Sequence, residues 1–401
     1  MKPSVPNEGA DNTLDLEAYE SDRYSRFRLI PWWDQELLSR SKILVVGTGA
    51  IGNELTKILA LLGVGKVVVV DFDAIENSNL TRSVLFREKD EGRMKADVAA
   101  ERALEINPHI DVRALNANIV YDVGLGVFRE MDVVLGGLDN REARLAINQY
   151  CWRVNRPWVD GAIEVLNGIA RMFIPPDGAC YECTMGEMDY KLLNMRKSCA
   201  LLSRDEMLSG KVPTTPTTAA VIAGMQVQEA IKFLHGKQVL NGEGFVFNGL
   251  THDSYKVSYT RDEDCLSHDT YEHKEIVEWE KPSSETTLGE LLERAKSDLG
   301  EHATLEFQRD VLTGFTSPST GEFHERWISL GGVKEGDAWD SEREEMMRPE
   351  MLHGVDGTED FLDRKVSECG IPPYDCISAK SGLERRHYFF SADRTLVLPD
   401  F

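Results

Sequence analysis

The chain has 401 residues, 42% of them hydrophobic and 28% charged, with a formal net charge of −23. That length allows two or three domains with a sizeable core, and the balance is that of an ordinary globular protein. The negative charge argues against a nucleic-acid or anionic-membrane surface, no run approaches the ~18 apolar residues of a membrane span, and the polar N-terminus has no apolar signal segment, so a cytoplasmic location is expected.

Residues 1–20 read as a disordered arm. KILVVG (42–47) is expected to form a buried strand that breaks into Gly47-Thr48-Gly49-Ala50-Ile51-Gly52, followed by a helix over 53–64. A second buried strand covers 66–73, a helix 94–107, a third strand 112–119 and a fourth 131–140, which ends in a polar turn. A helix over 141–154 and a strand over 157–163 complete the series. Strands alternating with helices at this spacing predict an α/β fold, a doubly wound, mostly parallel, Rossmann-like sheet. Ligands on such sheets lie at the carboxyl ends of the strands, here the polar clusters after Val46, Val70 and Leu135.

Farther on, GMQVQEAIKFL (224–234) has helical spacing, and the stretch between Tyr190 and Val212 is polar and irregular. After about residue 270 the rhythm changes. TLGELLERAKSDLG (287–300) reads as a helix with a Thr start and a Gly stop. HATLEF, RWISL, HYFF and RTLVLP (394–399) read as short strands. Roughly −14 of the net charge falls in this last third. The expected organisation is therefore an arm (1–20), a nucleotide-binding domain (21–270) and an acidic α+β module (271–401).

The chemistry concentrates at the strand ends. A glycine turn alone is shared by many dinucleotide enzymes. Asp71, about 20 residues after the glycines, suits a ribose hydroxyl. Asn79, Arg82 and Lys95 follow, and two cations with an amide suit a triphosphate better than a dinucleotide's pyrophosphate. Asp139 could hold Mg²⁺. Hydride transfer needs no such cluster, whereas attack on an α-phosphate does, because charge builds on the phosphoryl oxygens and the leaving pyrophosphate.

RYSR (23–26), VVGTGAIG (45–52), DFDAIENSNLTR (71–82), GRMKAD (92–97), INPHI (106–110), LDN (138–140) and CYEC (180–183) occur in this order. Together they resemble the superfamily of bacterial thiamine and molybdopterin adenylyltransferases of the ThiF, MoeB and HesA type, which includes the ubiquitin-activating enzymes. The resemblance spans roughly residues 20–270, with Ala50 standing where the family usually has a second glycine. It implies that Gly47, Gly49 and Gly52 form the nucleotide turn and that Asp71 takes the ribose. Asn79, Arg82 and Lys95 would contact the phosphates of ATP, and Asp139 would bind Mg²⁺. Arg26 would reach the γ-phosphate side of a partner subunit's site in a homodimer. The implied reaction is adenylation of a ubiquitin-like protein ending in Gly-Gly.

Seven cysteines in a chain without a signal segment are better used for metal or catalysis than for disulfides. Cys180 and Cys183 have metal-knuckle spacing. Where the family offers a second Cys-x-x-Cys, this chain has Cys265 and His268. These four are expected to form a structural Zn²⁺ site with no open position, the alternative being reduced core cysteines and a surface histidine. Cys199 follows Arg196 and Lys197, cations that lower a thiol pKa. A Pro-Thr-Thr helix start lies downstream, an arrangement similar to the activating enzymes of the ubiquitin-fold-modifier type. The resemblance implies that Cys199 carries the modifier as a thioester before handover to a conjugating enzyme, with the acidic module as a docking site. Adenylation of a sulfur-carrier protein, a non-catalytic scaffold, and a small-molecule or peptide-modifying enzyme on the same fold are the alternatives. Cys151, Cys369 and Cys376 read as packing residues.

Overall fold

The computed structural model describes residues 22–191, 213–399 and 401, so Cys199 lies outside the described residues. After a short helix α1 (Gln35–Arg40), capped by the Asp34 carboxylate on Leu37 N–H, strands and helices alternate. They are β1 (Lys42–Val46), α2 (Ala50–Leu62), β2 (Lys66–Val70), α3 (Lys95–Ile106), β3 (Asp111–Leu115), α4 (Leu125–Glu130), β4 (Val133–Gly136), α5 (Arg141–Arg153) and β5 (Trp158–Glu164). The five strands are parallel, in the order β3-β2-β1-β4-β5. The sheet continues antiparallel through β6 (Asn167–Phe173), β7 (Glu243–Asn248) and β8 (Asp253–Ser258), with α6 (Pro216–Leu234) inserted before β7. Among the described residues, no helix is long and apolar enough to cross a membrane.

Successive residues of a strand face opposite sides of the sheet. Ile43, Val45, Val67, Val69, Val133 and Leu135 pack beneath α2, α3 and α6. Their neighbours Leu44, Val46, Val68, Val70 and Val134 belong to a second core with α4 and α5. A sheet buried on both faces reads as continuous apolar runs, as it does here.

Helices α4 and α5 share the second face with the C-terminal part. That part contains β9 (Ile276–Glu278), α7 (Leu288–Leu299), β10 (Thr304–Thr316), β11 (Phe323–Ile328), β12 (Trp339–Asp340), β13 (Glu345–Met346), β14 (Arg348–Val355), β15 (Cys376–Ser381), β16 (Glu384–Phe389) and α8 (Arg394–Val397). Its main sheet runs β11-β10-β15-β16-β9, with β14 also on β10. Helix α7 starts at the Thr287 cap and ends at Gly300, whose φ is +96°. It places Leu288, Leu291, Leu292 and Ala295 in a core with Leu305, Ile377 and Tyr388. The other side of this sheet reaches the first one: Tyr374, Cys376, Phe389, Leu398 and Phe401 lie in one core with Leu44, Val46, Phe128 and Ile147. Cys151, Cys369 and Cys376 are fully buried, and burial raises their thiol pKa values, as expected of packing residues.

RTLVLP is not a strand. Arg394–Val397 is a helical turn, with Leu398 N–H bonded to the Arg394 carbonyl. The turn brings Val397, Leu398 and Phe401 to the core while Leu396 stays exposed, a tertiary demand that overrides local β propensity. Strand β10 is also longer than HATLEF, because Gln308, Arg309 and Asp310 continue it with polar contacts in the middle.

Glu130, at the end of α4, joins the two parts. It accepts from Tyr374 Oη (2.9 Å) and Arg394 Nη2 (3.0 Å), and pairs with Lys42 at the start of β1 (3.1 Å). Burial works against its charge, but Arg394, Tyr374 and Lys42 hold its pKa below the ordinary value of 4.5. A depressed folded-state pKa gives stability that is present above the unfolded value and lost as pH falls through the folded one. Glu130→Gln should therefore lower the urea midpoint at pH 7. The gap to wild type should narrow as pH falls below 4.5; a pH-independent gap would contradict this account.

Candidate nucleotide and metal sites

The β1–α2 turn is shaped by glycines that admit no side chain. Gly47 has a φ of +83°, and a Cβ there would lie 2.7 Å from the Gly137 carbonyl at the end of β4. A Cβ on Gly52 would lie 1.8 Å from the Gly47 carbonyl. At Gly49, by contrast, a Cβ would meet nothing within 4 Å, so the turn opens outward there. The open side coincides with the N-terminus of α2, whose first amides favour anions.

Asp71, just past β2, is bonded to this turn. Its Oδ2 accepts from Thr48 N–H (2.7 Å) and Thr48 Oγ1 (2.8 Å), and its Oδ1 accepts from Asp73 N–H (2.9 Å). Oδ1 keeps a lone pair with which to accept a hydroxyl. Asn79 sits in the following loop, where its Oδ1 caps Glu76 N–H (3.0 Å). Arg82 Nη1 donates to the Ser78 carbonyl (2.7 Å). Lys95 opens α3, and its ammonium pairs with Asp73 at 2.7 Å. Asp139 follows β4, exposed, with a contact to Asn140 Nδ2 (3.3 Å); Asn140 caps α5 on Ala143 N–H. The glycine turn, Asp71 and Asp139 thus stand at the carboxyl ends of three adjacent strands, β2, β1 and β4.

Arg26 lies elsewhere. The segment around it is fixed at the far end of α2, where Tyr24 abuts Gly63 and receives a bond from Asn107 Nδ2 (2.7 Å). Thirteen residues of helix separate that end from the glycine turn, about 20 Å. The Arg26 side chain is exposed and has no partner among the described residues.

Cys180, Cys183, Cys265 and His268 converge, with their ligand atoms all within 4.8 Å of one another. The Cys180–Cys183 and Cys180–Cys265 sulfurs are 3.7 and 3.6 Å apart, and Cys183 Sγ is 3.3 Å from His268 Nε2. Tetrahedral thiolates at about 2.3 Å from zinc would stand about 3.7 Å apart, so this donor set fits the ion. The His268 ring stacks on buried Trp152 of α5 (4.3 Å between centroids), which aims Nε2 at the cluster. Burial pushes the Cys180 thiol up to about 11, and burial together with Cys180 raises Cys265. A cation would offset this cost.

A family model described as the ThiF family matches residues 21–267. The chain belongs to the ThiF family. It is 29% identical over 244 residues to the ubiquitin-like modifier-activating enzyme 5 of Dictyostelium discoideum, covering 55% of this chain but only 61% of that protein. It is 31% identical over 271 residues to the sulfur carrier protein adenylyltransferase of Thermus thermophilus, covering 65% of this chain and 96% of that one. Among solved structures, E. coli MccB with AMPCPP and SeMet MccA aligns with a TM-score of 0.51 and 26% identity, covering 62% of this chain and 75% of that one.

Some residues that support the candidate site escaped the sequence reading. Arg144 donates to the carbonyls of Leu138 (2.6 Å) and Gly161 (3.1 Å), holding the turn before Asp139. It also pairs with Asp160 (2.8 Å), which Arg171 contacts from the other side through Nε (3.1 Å). Burial disfavours the Asp160 carboxylate, yet Arg144 and Arg171 keep its pKa below the ordinary value. The one sequence signal was an aspartate in the apolar strand WVDGAI.

Metal analysis of purified protein should find about one Zn²⁺ per chain. Cys183→Ser should lose it and lower the melting temperature by on the order of 5–10 °C. A metal-free wild type would refute the site.

Proposed function

We propose that this chain is an ATP-dependent adenylyltransferase acting on the C-terminal carboxylate of a ubiquitin-like protein that ends in Gly-Gly. The observation that carries this reading is the open glycine turn bonded to Asp71, with Arg82, Lys95 and Asp139 carried on the segments that follow the neighbouring strands. A dehydrogenase has no use for those cations. The carboxylate attacks the α-phosphorus of ATP, the bond to the β-phosphate oxygen breaks, and an acyl-adenylate and pyrophosphate result. Gly49 and the first amides of α2 cradle the phosphates, and Asp71 accepts a ribose hydroxyl. Arg82 and Lys95 offset the growing negative charge, Lys95 exchanging Asp73 for phosphate oxygen. Asp139 would hold Mg²⁺, whose charge screens the leaving pyrophosphate.

Arg26 cannot serve the turn of its own subunit from its place at the far end of α2, which supports a homodimer in which it completes the partner's site. Cys199 would then attack the acyl carbonyl, expel AMP and hold the modifier as a thioester for a conjugating enzyme. The accessory unit 271–401 would dock that enzyme or the modifier, and the reaction belongs in the cytoplasm. A sulfur-carrier protein is the second candidate substrate, favoured by the match over 96% of the Thermus protein.

With a Gly-Gly-ended partner, the protein should exchange labelled pyrophosphate into ATP. Asp139→Ala should reduce exchange by about 10²-fold or more, and normal exchange would remove Asp139 from the site. The thioester is tested separately. Modifier and ATP should give an adduct that a thiol reductant cleaves. Cys199→Ala should abolish the adduct and leave exchange intact. Exchange without any adduct in the wild type would favour the sulfur-carrier substrate.

A further inference from the structure

Asn53, the residue after the last glycine of the turn, is fully buried in the first turn of α2. A helical side chain leans toward the N-terminus of its helix, and Asn53 uses that direction fully. Its Nδ2 donates to the carbonyls of Thr48 (2.6 Å) and Gly49 (3.1 Å). Its Oδ1 accepts from Leu85 N–H (2.8 Å), three residues after Arg82.

In a trans peptide the carbonyl and the following N–H point in opposite directions. Drawing the Thr48 carbonyl inward therefore turns the N–H of Gly49 outward. The Gly49 carbonyl, which also accepts from Asn53 N–H (3.0 Å), is held inward by backbone and side chain together, which turns the N–H of Ala50 outward. Among the described residues, the N–H groups of Gly49, Ala50, Ile51 and Gly52 have no hydrogen-bond acceptor. Those of Gly49 and Ala50 adjoin the space that a Cβ on Gly49 would enter without contact. The bond from Leu85 ties the backbone beyond Arg82 to the same side chain.

We propose that Asn53 is a positioning residue for phosphate: it sets the orientation of the turn's amide donors and fixes the distance between them and the loop that bears Arg82. The role rests on the nucleotide reading above. It falls mainly on the phosphates, because Asp71, the ribose acceptor, has no direct bond to Asn53: Asn53 reaches it only through Thr48, and Asp73 N–H holds its Oδ1 independently.

The test compares two ligands on full-length protein. Asn53→Leu removes both polar functions at similar volume. Calorimetry should show AMPCPP with Mg²⁺ binding about 10–100-fold more weakly than to wild type, the equivalent of one or two well-aligned hydrogen bonds. Adenosine affinity should change less than about twofold, within measurement. Should Asn53→Leu not fold, Asn53→Ser, which keeps a short donor within reach of the Gly49 carbonyl, should show the same selective loss at smaller size. Equal weakening of both ligands would mean that Asn53 is only structural, and no weakening of either would remove it from the site. If wild type binds neither ligand, the nucleotide reading itself falls, and with it this role.

Discussion

A parallel sheet has to be covered on both faces, because its strands carry no polar side to turn to water. Here α2, α3 and α6, with Leu38, Ile75, Leu85 and Phe86 between them, cover one face. The other has α4, only six residues long, and α5, which leave Leu44, Val46, Val68 and Val70 short of cover. Tyr374, Phe389, Leu398 and Phe401 supply it, and the polar contacts of Glu130 and Asp375 form around that seam. Asp375 accepts from Leu125 N–H (2.8 Å) and pairs with Arg309 (3.0 Å). The C-terminal sheet thus shares a core with β1 and β2, the strands that end in the glycine turn and Asp71.

The carboxyl ends of β1, β2 and β4 are held by bonds that serve two purposes. Asp71 fixes the turn through Thr48 while keeping a lone pair open. Lys95 and Asp73 neutralise one another at 2.7 Å, so the free site is not a bare concentration of positive charge, and the lysine is lodged where an incoming anion can claim it. Arg144 stands behind the Asp139 turn as a brace, compensated by Asp160. Lys95 and Arg144 are therefore paired in the free protein, whereas Arg82 rests on the Ser78 carbonyl.

The parallel half of the fold was legible because its signal is local: continuous apolar runs, helical spacing between them, and a glycine turn at a strand end. The Cys/His cluster was legible from two equal spacings, although only the folded chain brings residues 85 apart into one place. Less was visible where contacts across the chain decide. Strands β6 to β8 mix apolar and polar residues without clear alternation, and RTLVLP took a helical turn to bury its end in a distant core. Asn53, Arg144 and Asp160 look in the sequence like polar interruptions of apolar elements. Each turns out to satisfy backbone carbonyls or a buried charge at the site, which no spacing rule reports.

Helix α5 ties together two places that do not touch. Asn140, its cap, adjoins Asp139 at the carboxyl end of β4, and Trp152, one residue before its end, lies flat against His268 of the Cys/His cluster. Between them runs a single stiff rod about 20 Å long, pinned along its flank by Arg144 and by Asn148, whose Oδ1 receives the Tyr181 amide. The Cys/His cluster therefore acts as the footing of a strut whose other end carries the turn of Asp139. A loosened footing would tilt that far end, so the cluster can govern the geometry of the turn without touching it.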